Sequence, residues 1–167
     1  MFQAGEQIVY GNLGVCTVVE TVQREAPGGA GRQWYYTLEP CFENNMRIYA
    51  PVGGAGVRMR RRISREQARR LLDGMPRLRA AARSDAPEAL VARCEQALSL
   101  EGYTDLIELA LFTCAPRQLA NDYKRRIGLA DRAAARRGQQ RLLRELGLAL
   151  EVPPEYVKTA IAARMAE

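Results

Sequence analysis

The feature that most limits how this chain can fold is a change of hydrophobic period near Arg62. Apolar residues recur every second position before it and every third or fourth position after it. Strand side chains alternate between two faces, whereas helix side chains repeat every 3.6 residues, so the two halves require different secondary structure.

Residues 6–10, 14–22, 33–38 and 46–50 are short runs rich in β-branched and aromatic side chains. The separators at 11–14, 27–31 and 43–45 supply Gly, Asn and Pro, which turns use. Four or five strands with hairpin-length connections predict a small antiparallel β-barrel of the SH3 or Tudor kind. Trp34, Tyr35 and Tyr36 are expected chiefly to fill its core; the other reading of this aromatic run is a stacking platform for single-stranded nucleic acid.

After Arg62 the pattern is helical throughout. Ser64-Arg-Glu-Gln67 has capping-box spacing, Ala68, Leu71 and Leu72 form an apolar face, and Gly74 with Pro76 predicts an early stop. A second helix starts at Asp85-Ala-Pro-Glu88 and turns Leu90, Val91, Cys94, Ala97 and Leu98 inward; a third opens near Thr104-Asp105. Pro116 begins a segment with Leu119, Tyr123 and Ile127 on one face, ending at Gly128. Across residues 130–150, Leu142, Leu143, Leu146, Ala149 and Leu150 cluster on one side, and Arg137, Arg141 and Arg144 line the opposite, exposed face. A last helix after Pro153-Pro-Glu155 has Tyr156, Val157, Ala160, Ile161 and Met165 inward. The expected fold class is therefore α+β with two domains: a small antiparallel β-barrel over residues 1–62 and an all-α helical bundle over residues 63–167.

Composition narrows the function. With 47% hydrophobic and 26% charged residues the chain is neither a disordered tail nor a fibrous repeat. The apolar run at 106–115 is broken by Glu108 and is too short to span a bilayer, and the N-terminus lacks signal-peptide regions, so a cytoplasmic protein is expected. There is no histidine, and Cys16, Cys41, Cys94 and Cys114 show no metal-ligand spacing; they are expected to be buried free thiols, with no metal site. The Gly-Gly-Ala-Gly runs at 28–31 and 53–56 lack the Lys-Ser/Thr of a phosphate loop, so no cofactor is assigned. No residue is assigned a catalytic role, and the chain is not expected to be an enzyme. Net charge is +6, but residues 58–83 carry +8 and residues 117–144 carry +7, leaving −9 elsewhere. Positive charge gathered this way suits phosphates or an acidic protein, or forms a solvated helix face.

The opening Phe2-Gln-Ala-Gly-Glu-Gln-Ile-Val-Tyr10, with Gly14-Val-Cys-Thr-Val, Tyr35-Tyr-Thr-Leu38 and Asn45-Met-Arg-Ile-Tyr-Ala-Pro51, closely resembles the N-terminal domain of the CarD/CdnL family of bacterial transcription regulators. The same pattern occurs in the polymerase-interacting module of transcription-repair coupling factor. A weaker match continues through Pro51-Val-Gly-Gly-Ala-Gly-Val-Arg58, and Ile127-Gly-Leu-Ala-Asp131 and Glu145-Leu-Gly-Leu-Ala149 are degenerate forms of two family elements.

That resemblance implies a non-enzymatic regulator whose Tudor-like domain docks by strand addition on the β subunit of RNA polymerase, while the helical domain contacts promoter DNA. It implies polymerase contacts at Arg24 and near Arg47, with Tyr49 where the family has a basic residue. The family's minor-groove Trp, in a Pro-x-x-Trp context, is replaced by Leu90 in Pro87-Glu-Ala-Leu90, with Arg93 beside it. Leu90 is either an apolar wedge or a core residue. DNA contact is then expected to rest on phosphates facing Arg137, Arg141 and Arg144. The alternative is an interaction adaptor whose basic helices bind an acidic protein. A monomer is expected, with a domain-swapped dimer as the alternative.

Overall fold

In the computed structural model, residues 1–28, 31–54, 56–81, 87–114 and 132–166 are described. Backbone contacts divide the chain into two compact units, Met1–Arg62 and Ile63–Glu167. The first is built on five strands: β1 (Gln7–Tyr10), β2 (Gly14–Glu25), β3 (Arg32–Pro40), β4 (Ile48–Pro51) and β5 (Met59–Arg61). All neighbours pair antiparallel, in the order β4-β3-β2-β1-β5.

This is an open sheet, which corrects the barrel expected from the strand count. Closure would join β4 to β5, the two ends of that order. β4 has four residues and finishes on Pro51, which has no N–H; β5 has three, two of them Arg60 and Arg61. Such strands offer few ladder bonds, and charge and proline are features that keep edges unpaired. Met59–Arg61 has no alternating apolar pattern and becomes a strand because β1 presents a pairing edge, with Ile8 opposite Arg61 and Tyr10 opposite Met59.

One face of the sheet carries the apolar cluster of this unit. Ile8, Cys16, Val18, Tyr36, Leu38 and Ala50 are buried there, with Phe2, Tyr10, Ile48, Val52 and Met59 packed around them. The Phe2 backbone N–H donates to the Tyr36 hydroxyl at 3.0 Å and the two rings lie 5.6 Å apart, so the N-terminus is fixed to this face. The aromatic run divides: Tyr35 and Tyr36 are buried as expected, but Trp34 is 48% exposed, because β2 and β3 extend beyond the cluster.

The second unit contains, among the described residues, α1 (Arg65–Ala81), α2 (Pro87–Leu98), α3 (Thr104–Cys114), α4 (Arg132–Leu150) and α5 (Pro154–Ala166). Its core gathers Leu71, Met75, Leu90, Leu106, Leu111, Leu142, Leu146 and Val157 from all five. The capping box of α1 is formed: Gln67 N–H donates to Ser64 Oγ at 3.1 Å, and Ser64 N–H donates to Gln67 Oε1 at 3.0 Å. Just before it, the Ile63 N–H donates to Oε1 of Glu145, a carboxylate only 4% exposed.

Several local expectations change here. The early stop at Gly74 and Pro76 does not occur, and α1 continues to Ala81. An interior proline costs about 3 kcal/mol and a glycine about 1. Burying Met75 and Leu78 on the continued helix offsets this, since each fully buried side chain of that size contributes about 1.5–3 kcal/mol. Tyr156, expected inward, is 65% exposed, and Ala97 is exposed as well; the inward positions of α5 are Val157 and Ile161. The segment expected from Pro116 to Gly128, the motif at 127–131 and Asp85 of the second helix start lie outside the described residues. No described helix is long and apolar enough to cross a membrane.

Leu90 is fully buried among the helices, so the core reading of that position holds in this structure and no surface remains for a wedge. Leu90→Ala should lower the unfolding free energy by about 2–5 kcal/mol, the usual cost of a core truncation with its cavity, read by chemical denaturation of the full chain. The thiols give a second check. Burial pushes Cys16 up to about 11, with Cys41 adding to the rise, and pushes Cys114 up to about 12 against the lowering effect of Arg79. In the folded protein at pH 8, iodoacetamide should therefore modify partly exposed Cys41 well before Cys16 or Cys114, and denaturant should abolish the difference.

Candidate protein-interaction edge of the β unit

The pairing of β2 with β3 contains one irregularity that controls the surface chemistry of the sheet. Val18 lies opposite Leu38, but the next pair is Glu20 with Thr37, so Val19 is an extra residue and β2 bulges there. Before the bulge, the even-numbered Cys16 and Val18 point into the apolar cluster. After it the parity is reversed: Thr21 pairs with buried Tyr36, while Glu20, Val22 and Arg24 pair with Thr37, Tyr35 and Gln33 on the opposite face. Arg24 is thereby turned away from the cluster. An uninterrupted strand would have placed it on the same side as Cys16 and Val18.

The opposite face is also where β4 shows Tyr49, whose register partner is Thr37. The Arg24 guanidinium carbon lies 3.8 Å from the centre of the Tyr49 ring, a cation–π contact that crosses the intervening strand β3. Tyr49 is 45% exposed. Thr37, fully buried, donates its hydroxyl to Glu20 Oε1 at 3.4 Å. Arg47, two residues before Tyr49, donates its Nε–H to Glu39 Oε1 at 2.7 Å. That hydrogen bond, with the charge of Glu39, raises the already high pKa of the Arg47 guanidinium. Arg24, Arg47 and Tyr49, selected from the sequence as candidate binding residues, are therefore neighbours on one face.

Beside them runs the outer edge of β4, which no strand among the described residues pairs with. The Val52 N–H donates to the Trp34 carbonyl at 2.8 Å, so the backbone groups of Val52 and, by alternation, of Ala50 and Ile48 point toward β3. Those of Tyr49 point away from the sheet, and Pro51 contributes no donor. The outer edge of β4 thus presents the Tyr49 donor and acceptor beneath its own exposed ring. The opposite edge differs: β5 has three residues and carries Arg60 and Arg61, the latter paired with Glu6 at 2.9 Å.

The candidate DNA residues are not gathered in the same way. Arg93 is exposed on α2 and Arg137 is exposed on α4. Arg141 and Arg144 share a face of α4 with Arg137 but are partly buried, which corrects the expected row of three exposed guanidinium groups. Sequence reasoning missed Glu20 and Glu39, the acidic members of the β4 patch; no local spacing signals them, because they meet their partners only across strands.

Since Arg24 stacks on an exposed ring, Arg24→Ala should change the stability of the folded chain by no more than about 0.5–1 kcal/mol, measured by denaturant unfolding. A loss of binding on changing Arg24 would then report lost contact rather than lost fold.

No curated protein matches this chain. Residues 2–63 match the family model described as the CarD-like/TRCF RID domain. The resemblance carried by the opening residues is thus borne out for the N-terminal unit, which is similar to that domain from Phe2 through β5.

Proposed function

We propose that this protein binds the β subunit of RNA polymerase through the outer edge of β4 and acts on transcription initiation in the cytoplasm, as a monomer and without catalysing a reaction. The observation that carries this reading is that Arg24, Arg47 and Tyr49 converge beside that edge, within the unit that matches the CarD-like/TRCF RID domain. A partner strand can extend the sheet there, drawing affinity from main-chain hydrogen bonds and specificity from the flanking side chains. In this reading the Arg24 guanidinium, held on the Tyr49 ring, is preorganised for a partner carboxylate.

The helical unit contributes promoter contacts through phosphates, with exposed Arg137 and Arg93 as the residues placed to make them and Arg141 and Arg144 in support. Buried Leu90 takes no part. The partial burial of Arg141 and Arg144 favours a second reading, in which the protein is an adaptor whose basic helices meet an acidic protein.

Titrating the full chain with the N-terminal lobe of the polymerase β subunit should give saturable binding. Arg24→Glu should abolish it, and Tyr49→Pro, which removes the outward N–H of the edge, should weaken it strongly. Wild-type affinity in both variants would reject docking at β4. For the helical unit, the slope of log K against log salt for promoter DNA should fall by about 0.9 when Arg137 is replaced by alanine. A slope unchanged by Arg137→Ala would favour the adaptor.

A further inference from the structure

Trp34 is the chain's only tryptophan, and 48% of it is exposed on the β unit. Its face is set by register. Tyr36, two residues on, pairs with Ala50 and both are buried in the apolar cluster, so Trp34 lies on the cluster side of β3. The Val52 N–H donates to the Trp34 carbonyl at 2.8 Å, which brings Val52 opposite Trp34, and Val52 packs against the cluster from the same side. Residues directly opposite on neighbouring strands have Cβ atoms about 4.5–5.5 Å apart. Trp34 and Val52 therefore extend the apolar face past its last buried row, up to the margin of β4.

That margin is the edge assigned above to the polymerase strand. A strand added to β4 sends alternate side chains to the two faces of the enlarged sheet. On one face they meet Tyr49 and the Arg24 guanidinium, which suits a carboxylate. The intervening side chains lie on the other face, where β4 offers Ala50 and Val52 and, one strand further in, Trp34. A reach over one intervening strand is already made in this sheet, since Arg24 on β2 contacts Tyr49 on β4 across β3. Trp34 on β3 has the same separation from a strand beyond β4. The rows beside it on this face are Gln23 opposite Trp34 and Glu25 opposite Arg32, which carry no net charge. Such a surface suits an apolar side chain and gives the phosphates of a nucleic acid no basic track to follow.

We propose that Trp34 is a specificity determinant of the docking edge: with Val52 it receives an apolar side chain of the same polymerase strand that gives its carboxylate to Arg24. The strand recognised is one in which acidic and apolar residues alternate. This inference rests on docking at β4 and adds the second face of the added strand to it.

The test uses the full chain labelled with 5-fluorotryptophan, whose single fluorine reports on Trp34 alone by fluorine NMR, titrated with the unlabelled N-terminal lobe of the polymerase β subunit. The Trp34 resonance should shift on binding and should keep its free position when Arg24→Glu is added to the labelled chain. Trp34→Ala should raise Kd at least about tenfold and Trp34→Phe less than about threefold, because a second aromatic ring keeps most of the apolar contact. Docking that Arg24→Glu abolishes, joined to an unmoved Trp34 resonance or to wild-type affinity in Trp34→Ala, would overturn the role of Trp34 and leave docking at β4 standing. Absence of docking by the wild-type chain would overturn both. A resonance that moves with a single-stranded oligothymidylate and not with the lobe would assign Trp34 to base stacking and overturn the proposal as well.

Discussion

The surface of the β unit depends on the bulge at Val19. Antiparallel pairing fixes side chains on alternating faces, so an extra residue on one strand exchanges the faces of everything beyond it. β2 uses this exchange once. Its first half supplies Cys16 and Val18 to the apolar cluster, and its second half turns Arg24 outward, where it stacks on Tyr49. Without the exchange, a long cationic side chain would point to the apolar side of the sheet and Tyr49 would lose its partner.

Leaving the sheet open has a consequence for function. A closed barrel satisfies every backbone donor and acceptor within itself, whereas this sheet ends on β4 and β5. The two edges are managed differently. β5 is short and doubly basic, which opposes further pairing, while β4 presents the Tyr49 backbone beside an exposed ring and a fixed guanidinium. An edge of that kind suits a chosen partner strand rather than indiscriminate association.

In the helical unit, burial outweighs local preference. Gly74 and Pro76 are both poor interior helix residues, yet α1 runs through them because Met75 and Leu78 are needed in the core and Gly74 gives Leu98 room. The same demand for apolar volume takes Leu90 inside. It also draws Arg141 and Arg144 partly below the surface, because the neighbouring Leu142, Leu143 and Leu146 are buried. A helical-wheel argument ranks positions by angle; how deep each side chain sits is set by the helices that pack around it.

By itself the sequence determined the α+β class, the change from strands to helices near Arg62, the capping box of α1, most of the inward helix positions and the resemblance of the N-terminal residues. These are local or periodic properties, fixed by spacing along the chain. The open sheet, the strand Met59–Arg61, the continuation of α1 past Pro76 and the grouping of Arg24, Tyr49 and Arg47 were settled only in the tertiary structure. Each depends on a register, an edge or a buried volume that partners distant in sequence create. Arg24 and Tyr49 are 25 residues apart and on strands that do not pair with each other, so their contact could follow only from the bulge that changed the face of β2.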